Sequence, residues 1–202
     1  MRDYFEQIEK TIKSNNRKKY IYAYWGEFDH LCHKHGAKSK QASKHFKKIS
    51  AKLTHFLESI ENTTVIVIAD HGFVDTTESE VINLADHPKL KQTLTLPLCG
   101  EGRFAYCYVH PSKAEDFEKY VKSHLKDYCN LYKSKELIKK NYFGLFEPNK
   151  KLIDRIGDYV LLMKDNYIIK DPLEGEKMRF EIGNHGGTSK DEIFVPLVVI
   201  DK

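Results

Sequence analysis

The sequence has few cysteines, and their spacing is not typical of a disulfide-rich or zinc-ribbon protein. Its four cysteines, Cys32, Cys99, Cys107 and Cys129, lie far apart and include no C-x-x-C pair. Cysteines spaced in this way usually stay reduced, as they do in the cytosol. We therefore predict a cytoplasmic location by default. If a signal segment is missing from this chain, we predict that the protein is exported.

The sequence also lacks a long apolar run. No stretch approaches the roughly 20 apolar residues of a membrane span, and the N-terminus, MRDYFEQIEK, has no apolar segment of the kind found in secretory signals. The net charge of +4 comes from scattered lysines rather than one basic block, so we expect no nucleic-acid binding. The 202 residues, 41% hydrophobic and 31% charged, are typical of one globular domain.

Alternating strand and helix patterns predict an α/β fold. Tyr20–Trp25, YIYAYW, is a β-prone run, and Thr64–Ala69, TVIVIA, is the strongest strand signal in the chain. Between them, apolar residues recur every three or four positions from Ser39 to Glu61, which predicts an amphipathic helix. Strand, helix and strand within about fifty residues form a βαβ unit, whose two strands are parallel and covered by helices.

The middle of the chain has a different pattern, which predicts an α+β insertion at about residues 100–180. The remaining segments, 20–99 and 181–202, are then the core of a single domain of residues 1–202. The predicted elements are a strand at Phe104–Val109, helices at Ser112–Tyr128 and Leu137–Phe143, a hairpin of Tyr159–Met163 with Tyr167–Ile169, and a last strand at Val195–Ile200.

Side chains able to bind metal follow both predicted core strands. Asp29 and His33 come shortly after YIYAYW, and they are four residues apart, so one helical turn brings both onto one face. Asp70 and His71 directly follow TVIVIA. Since ligands bind where parallel strands end, we expect these clusters at one edge of the sheet. A third cluster, GNHGG, carries His185 between glycines that let the backbone pass close to a bound group.

The donor atoms of these clusters indicate which ion they suit. Carboxylate oxygen with neutral imidazole nitrogen suits zinc, or manganese and other first-row ions, better than calcium or magnesium. Each cluster alone is a weak signal, and the three together favour a metal site. Cys32 is able to ligate zinc, but one thiol between better-placed ligands is more often a small buried residue. We expect His30 and His35 at the surface and Glu192 near the GNHGG turn in a structural role.

The order and the residue patterns of the three clusters resemble those of the alkaline phosphatase superfamily. The resemblance is strongest to its type I phosphodiesterase/nucleotide pyrophosphatase branch. Members carry a DxxxHxxG segment, a strand ending in DHG, and a late G-x-HG segment that leads into VPL. Here these are DHLCHKHG, IADHGF and GNHGGTSKDEIFVPLVV. The resemblance implies an alkaline-phosphatase-like α/β fold and a two-zinc site. It assigns Asp29, His33 and His185 to one ion, and Asp70 and His71 to the other.

The chain departs from the family pattern at its start. In the family, a strand ending in aspartate, followed by a Ser or Thr nucleophile, precedes the DxxxH segment by a long stretch. Only nineteen residues precede Tyr20 here, and they have the pattern of a helix. Thr11 and Ser14 on this helix have no metal-ligand neighbour, so the nucleophile is unknown. The pattern predicts the C-terminal half of the family fold, with one complete metal site and weak or no catalysis by this chain alone.

The resemblance thus implies a divalent-metal-dependent phosphoesterase that acts on a nucleotide or another phosphate-ester small molecule. Its partner would be a missing N-terminal half. Two alternatives stay open: a truncated domain that binds metal without catalysis, and a nonenzymatic interaction domain whose histidines are incidental. The sequence does not show which residues line the pocket for the leaving group. The candidate substrates are therefore a nucleotide, a phospholipid headgroup, a phosphonate and a sulfate ester.

Overall fold

The structure is a computed structural model that describes residues 2–202. Its α-helices are α1 (Arg2–Lys13), α2 (Glu27–His35), α3 (Lys40–Glu58), α4 (Pro88–Lys91), α5 (Ala114–Tyr120), α6 (Ser134–Lys139) and α7 (Lys190–Ile193). Its strands are β1 (Thr64–Ile68), β2 (Val74–Asp75), β3 (Val81–Asn83), β4 (Cys99–Glu101), β5 (Phe104–Cys107), β6 (Cys129–Lys133), β7 (Tyr159–Met163), β8 (Ile168–Lys170), β9 (Gly183–Asn184) and β10 (Leu197–Asp201).

The long amphipathic helix that the sequence predicts is confirmed as α3. Ser39 caps it, because its side-chain oxygen accepts a hydrogen bond from the Ala42 N–H at 3.0 Å and satisfies a donor that the first turn leaves free. Phe56 lies on the buried side of the helix, where its ring packs against Phe5 of α1 at 5.4 Å between centroids. Soon after the helix ends, Asn62 adopts a positive φ of 51° and turns the chain into β1.

The strands at TVIVIA and near the C-terminus are confirmed, but the predicted βαβ unit is wrong. β1 pairs antiparallel with β10, with Val65 opposite Ile200 and Val67 opposite Val198. Tyr20–Trp25 forms no strand and has irregular backbone instead. A β-strand needs a hydrogen-bonded neighbour, and within residues 2–202 no segment pairs with this one.

A four-stranded antiparallel sheet in the order β4-β5-β7-β6 forms the centre of the predicted insertion. The strands predicted at Phe104–Val109 and Tyr159–Met163 are confirmed as β5 and β7. The predicted hairpin is wrong, since β7 already has β5 on one side and β6 on the other. The next strand, β8, therefore leaves this sheet and pairs in parallel with β3.

The main hydrophobic core lies beneath this four-stranded sheet. The predicted helix Ser112–Tyr128 is confirmed as α5, which continues as a π-helical segment, Val121–Leu125, and packs Phe117 against Tyr159 with ring centroids 5.0 Å apart. The second predicted helix begins three residues earlier than expected, as α6. All four cysteines are free thiols, as predicted.

One face of the β1–β10 pair is exposed rather than covered by a helix. Ile66 lies opposite Val199 and Ile68 opposite Leu197, and these four side chains are between 57% and 66% exposed. We call these four residues the open face. The neighbouring irregular segment also exposes aromatic rings, with Tyr20 at 91%. No helix in residues 2–202 is long and apolar enough to cross a membrane.

Candidate metal centre

Helix α2 carries the first two of the predicted metal ligands. Asp29 lies in its first turn and His33 in its last, and the 3.6-residue period brings them onto one face. The His33 Nε2 atom is 3.5 Å from the Asp29 Oδ1 atom. The end of this helix is anchored by Asp75, whose carboxylate accepts hydrogen bonds from the backbone N–H groups of Ala37 at 2.6 Å and Lys38 at 3.1 Å. Helix α2 is thus fixed at its C-terminal end.

The loop after β1 brings a second histidine to the same carboxylate. His71 places its Nε2 atom 3.7 Å from Asp29 Oδ1 and 3.7 Å from Asp70 Oδ1. Its Nδ1–H donates to the Gly72 carbonyl at 3.0 Å, which fixes the ring. The Asp70 side chain is 66% exposed. His71 therefore lies between the two carboxylates, whereas the resemblance assigns it to the second ion alone.

Strand β9 brings the third cluster against α2. The His33 Nδ1–H donates to the Gly183 carbonyl at 2.8 Å, and the Ile182 N–H donates to the His33 carbonyl at 2.9 Å. A side chain at Gly183 would collide with the carbonyl of Cys32, so only glycine allows this approach. As a result, His185 places its Nε2 atom 3.9 Å from Asp29 Oδ1, although 156 positions separate the two residues in the sequence.

The environment of Asp29 Oδ1 fits a bound cation. This oxygen is buried and accepts no hydrogen bond within residues 2–202. Because His33 and His71 each use Nδ1–H toward a carbonyl, the nitrogen of each ring that faces the carboxylate is Nε2. A cation between these nitrogens and the carboxylate oxygen would be bound by both kinds of atom. The ligand atoms of Asp29, His33 and His185 all lie within 4.8 Å of one another, and this donor set suits zinc.

The imidazoles are packed tightly and are partly buried, with side chains between 19% and 24% exposed. The rings of His71 and His185 stack with centroids 3.8 Å apart and planes at 19°. Burial, and then the charge of His71, lowers the pKa of His185 below its ordinary value, so this ring is neutral at pH 7. Neutral imidazole is the form that binds metal. The geometry and the protonation state of His185 therefore agree with a ligand role, which stays a prediction.

The neighbouring cysteine is not part of this cluster. Cys32 is fully buried on the core side of α2. Burial, and then the negative charges of Asp29 and Asp75, raises the pKa of its thiol to about 11. A thiol with such a pKa stays protonated at pH 7, whereas the thiolate is the metal-binding form. The structure thus favours the buried, structural role for Cys32.

Two aromatic residues at the site were not predicted from the sequence. Phe73 packs edge-on against His33 and His71, with centroids 5.2 Å apart in both pairs, and against His185 at 5.3 Å. The negative charge of Asp70 raises the pKa of the Tyr24 hydroxyl, which places that hydroxyl within electrostatic reach of the site. The one feature of the sequence that could have placed Phe73 at the site is its position directly after the DHG triplet.

The structure assigns no nucleophile. The hydroxyl of Thr11 donates to the Gln7 carbonyl at 2.8 Å, and the hydroxyl of Ser14 donates to the Thr11 carbonyl at 2.9 Å. Both hydroxyls are therefore engaged with the backbone of α1 rather than with a metal-binding carboxylate. The catalytic nucleophile stays unknown, as it is from the sequence.

Comparison with known proteins identifies the family. The sequence profile of the type I phosphodiesterase/nucleotide pyrophosphatase family matches residues 1–188, so the chain belongs to this family. No curated protein sequence matches it significantly. A structure of murine ectonucleotide pyrophosphatase/phosphodiesterase 5, an inactive variant in complex with AMP, superposes with a TM-score of 0.77 at 19% identity, covering 98% of this chain and 51% of that one.

A second solved structure, from a bacterium, is similar over a shorter length. Phosphonoacetate hydrolase from Sinorhizobium meliloti 1021, in complex with phosphonoformate, gives a TM-score of 0.61 at 20% identity, covering 85% of this chain and 43% of that one. These likenesses confirm the predicted alkaline-phosphatase-like α/β fold. The chain spans about half the length of the solved relatives that it matches.

Proposed function

We propose that this chain supplies the metal-binding part of a divalent-metal-dependent phosphoesterase of the phosphodiesterase/nucleotide pyrophosphatase type. The observation that carries the proposal is the buried Asp29 Oδ1, which has no hydrogen-bond donor among residues 2–202 and faces three imidazole Nε2 atoms within 3.9 Å. Asp29, His33 and His185 would hold one ion, zinc or alternatively manganese. Asp70 and His71 would contribute to a second ion.

The residues of the chain prepare this site for phosphoester chemistry. A divalent cation bound there would supply Lewis acidity, which polarises a phosphoryl oxygen and lowers the pKa of water. The hydrogen bond from His33 Nδ1 to Gly183 keeps the Nε2 lone pair directed into the site. Phe73 shields one edge of the imidazoles from water. Tyr24, with its pKa raised, keeps its hydroxyl proton and is available as a donor near Asp70.

The proposed substrate is a nucleotide or another small phosphate ester. The solved murine relative holds AMP, and the bacterial relative holds phosphonoformate. Both ligands present a phosphorus oxyanion, which is the group that a cation at Asp29, His33 and His185 would attract. We propose the cytoplasm as the location, on the basis of the four free thiols.

Titration of the purified chain with AMP tests this function. The zinc-loaded chain is expected to bind AMP, and the same chain stripped with EDTA is expected to lose that binding. His33→Ala loaded under the same conditions should behave like the stripped protein, whereas His30→Ala, on the exposed side of the same helix, should behave like wild type. Equal AMP binding with and without zinc, or none to the loaded chain, would refute the proposal.

We also propose that a further polypeptide segment, equivalent to the other half of the relatives' chains, covers the open face and completes the catalytic site. Two observations support this proposal. The chain spans about half of each solved relative, and Ile66, Ile68, Leu197 and Val199 form a contiguous exposed apolar face on two paired strands. Exposed apolar faces and free strand edges are sites where another chain adds to a sheet.

A second function, metal binding without catalysis, is favoured by one observation. The candidate hydroxyls of Thr11 and Ser14 are bonded to carbonyls of α1, and no nucleophile is assigned within residues 2–202. In that case the chain would bind zinc and AMP but would not hydrolyse phosphoesters even when the open face is covered. Assay of the chain together with a covering segment separates these two functions.

A further inference from the structure

A buried ion pair joins the inserted subdomain to the loops that carry the histidines. Arg103 lies in the turn between β4 and β5, and Glu192 lies in α7. Arg103 donates from Nε to Glu192 Oε1 at 2.6 Å and from its second terminal nitrogen to Oε2 at 2.9 Å. The two side chains are 2% and 1% exposed. The geometry is bidentate, which fixes both distance and orientation.

The Glu192 carboxylate also holds the loop that contains His185. Its Oε1 atom accepts the Gly187 N–H at 2.7 Å, and its Oε2 atom accepts the Ser189 N–H at 3.2 Å. Gly187 is two residues from His185. The same two oxygens that bind Arg103 therefore set the path of the backbone that delivers the His185 ring.

The backbone of Glu192 holds the loop that contains His71. The Gly72 N–H, adjacent to His71, donates to the Glu192 carbonyl at 2.7 Å. A side chain at Gly72 would collide with the carbonyl of Asp191, so the loop and α7 are in direct contact. One residue thus contacts both histidine loops, while no hydrogen bond or ion pair in residues 2–202 joins Arg103 or Glu192 to the ring of His71 or His185.

Stability alone is a poor explanation for such a pair. A buried ion pair often contributes no more to folding than well-packed apolar residues of the same volume, because both charges must be desolvated. The carboxylate fixes the loop of His185, a role that apolar residues could not take over, since only a carboxylate can accept Arg103, Gly187 and Ser189 together. By holding α7 in place, it also sets where the Glu192 carbonyl meets the loop of His71. Residues that hold the metal ligands in place without binding the ion themselves are arranged in this way.

We infer that Arg103 and Glu192 are positioning residues for the metal centre, which hold His185 and His71 at the separation that a divalent cation requires. The inference rests on the proposed metal role of these histidines. It makes the β4–β5 turn of the insertion a determinant of metal affinity, although that turn contributes no ligand. Disruption of the pair should loosen the geometry of the ligands while leaving each ligand present.

Two variants and one control test this inference with metal alone. Glu192→Gln removes the charge and turns an amide N–H₂ toward Arg103 and toward either the Gly187 or the Ser189 N–H. Arg103→Lys keeps the charge but loses the bidentate contact. Zinc affinity, measured by competition with a chromophoric chelator, is expected to fall by about 10–100-fold in both variants, as for other outer-shell partners. The visible spectrum of the cobalt-loaded protein should change in band position, which reports altered ligand geometry.

The control variant is Leu137→Ala, a fully buried position in α6 of the inserted subdomain. It should lower the midpoint of thermal unfolding at least as much as Arg103→Lys does, yet keep zinc affinity within about 2-fold of wild type and leave the cobalt spectrum unchanged. An equal loss of affinity in Leu137→Ala would show that general stability, not positioning, is responsible. If Glu192→Gln does not fold, Arg103→Lys carries the test.

The outcomes also separate this inference from the proposed function. Wild-type protein that binds neither zinc nor cobalt would refute the metal site itself. Wild-type protein that binds zinc, with folded Glu192→Gln and Arg103→Lys variants of unchanged affinity and cobalt spectrum, would refute only the positioning role.

Discussion

The imidazole rings of His71 and His185 stack face to face, with centroids 3.8 Å apart, although 114 positions separate the two residues in the sequence. Both rings direct Nε2 toward the same atom, Asp29 Oδ1, at 3.7 and 3.9 Å. Burial, and then the charge of His71 at this short distance, disfavours protonation of His185. The neutral form of His185 is also the form that a metal ion requires.

The first prediction concerns the pH dependence of stability in the metal-free protein. The pKa of His185 is lowered, first by burial and then by the charge of His71. An unfolded histidine titrates near about 6.5. Between this value and the lower folded value, the unfolded state binds more protons, so the contribution of His185 to stability is complete above about pH 6.5 and is lost as the pH falls.

This pH dependence is measured by urea unfolding in EDTA at pH 7.5 and 5.5. His185→Gln should lose less stability than wild type over that interval, because it removes one group that takes up a proton on unfolding. An identical loss in wild type and His185→Gln would show that His185 does not titrate in this way.

The second prediction concerns the ligands on α2. His33→Ala removes one of three convergent ligands and the hydrogen bond to the Gly183 carbonyl. Zinc affinity should therefore fall by more than about 100-fold, beyond the 10–100-fold loss typical of outer-shell partners. Chelator competition measures this loss, with His30→Ala as the matched control on the same helix. A comparable effect of both substitutions would point to a loss of helical structure instead.

The third prediction is that the isolated chain is a poor catalyst even when loaded with zinc. With no nucleophile assigned, hydrolysis would depend on direct attack by water, and loss of a catalytic group typically costs about three or more orders of magnitude in rate. Assays with a phosphodiester, a phosphomonoester and a sulfate ester should give turnover far below about 1 s⁻¹, whereas a typical enzyme turns over at about 10 s⁻¹. Turnover above about 1 s⁻¹ that disappears in Asp70→Asn would reveal a catalytic route not recognised here.

The fourth prediction concerns the open face. Ile68→Lys replaces a side chain that is 63% exposed, so the free energy of unfolding should change by no more than about 0.5 kcal/mol. The uncovered wild-type face should make the isolated chain self-associate with rising concentration, and the added charge should reduce this association. Sedimentation measures it. Leu145→Lys, at an exposed apolar position outside the open face, is the control and should not change association.

The local parts of the fold could be predicted from the sequence, because periodicity reports which side of an element is apolar. The apolar residues that recur from Ala42 to Phe56 predict the helix α3. The four-residue spacing of Asp29 and His33 predicts that both lie on one face of a helix. The strand predicted at Tyr20–Trp25 is wrong for a related reason. Its composition is that of a strand, but a strand forms only with a partner, and residues 2–202 offer it none.

The parts of the site that lie outside the three motifs could not be predicted. Nothing near Arg103 in the sequence indicates that its guanidinium meets Glu192, since the two lie 89 residues apart. Phe73 contacts three imidazoles. Because its side chain has no atom that can bind a metal ion, a pattern of metal ligands in the sequence does not include it. The pairing of β8 with β3 instead of β7 likewise depends on β7 having both of its edges occupied.

The most direct test of the metal centre is anomalous diffraction at the zinc edge from crystals of the zinc-loaded chain. We predict one strong peak per chain, at about 2.0–2.2 Å from a carboxylate oxygen of Asp29 and from the Nε2 atoms of His33 and His185. A weaker peak beside Asp70 and His71 would agree with a second, under-coordinated ion. No peak within reach of Asp29, or a peak bound by other side chains while these three stay unliganded, would contradict the account.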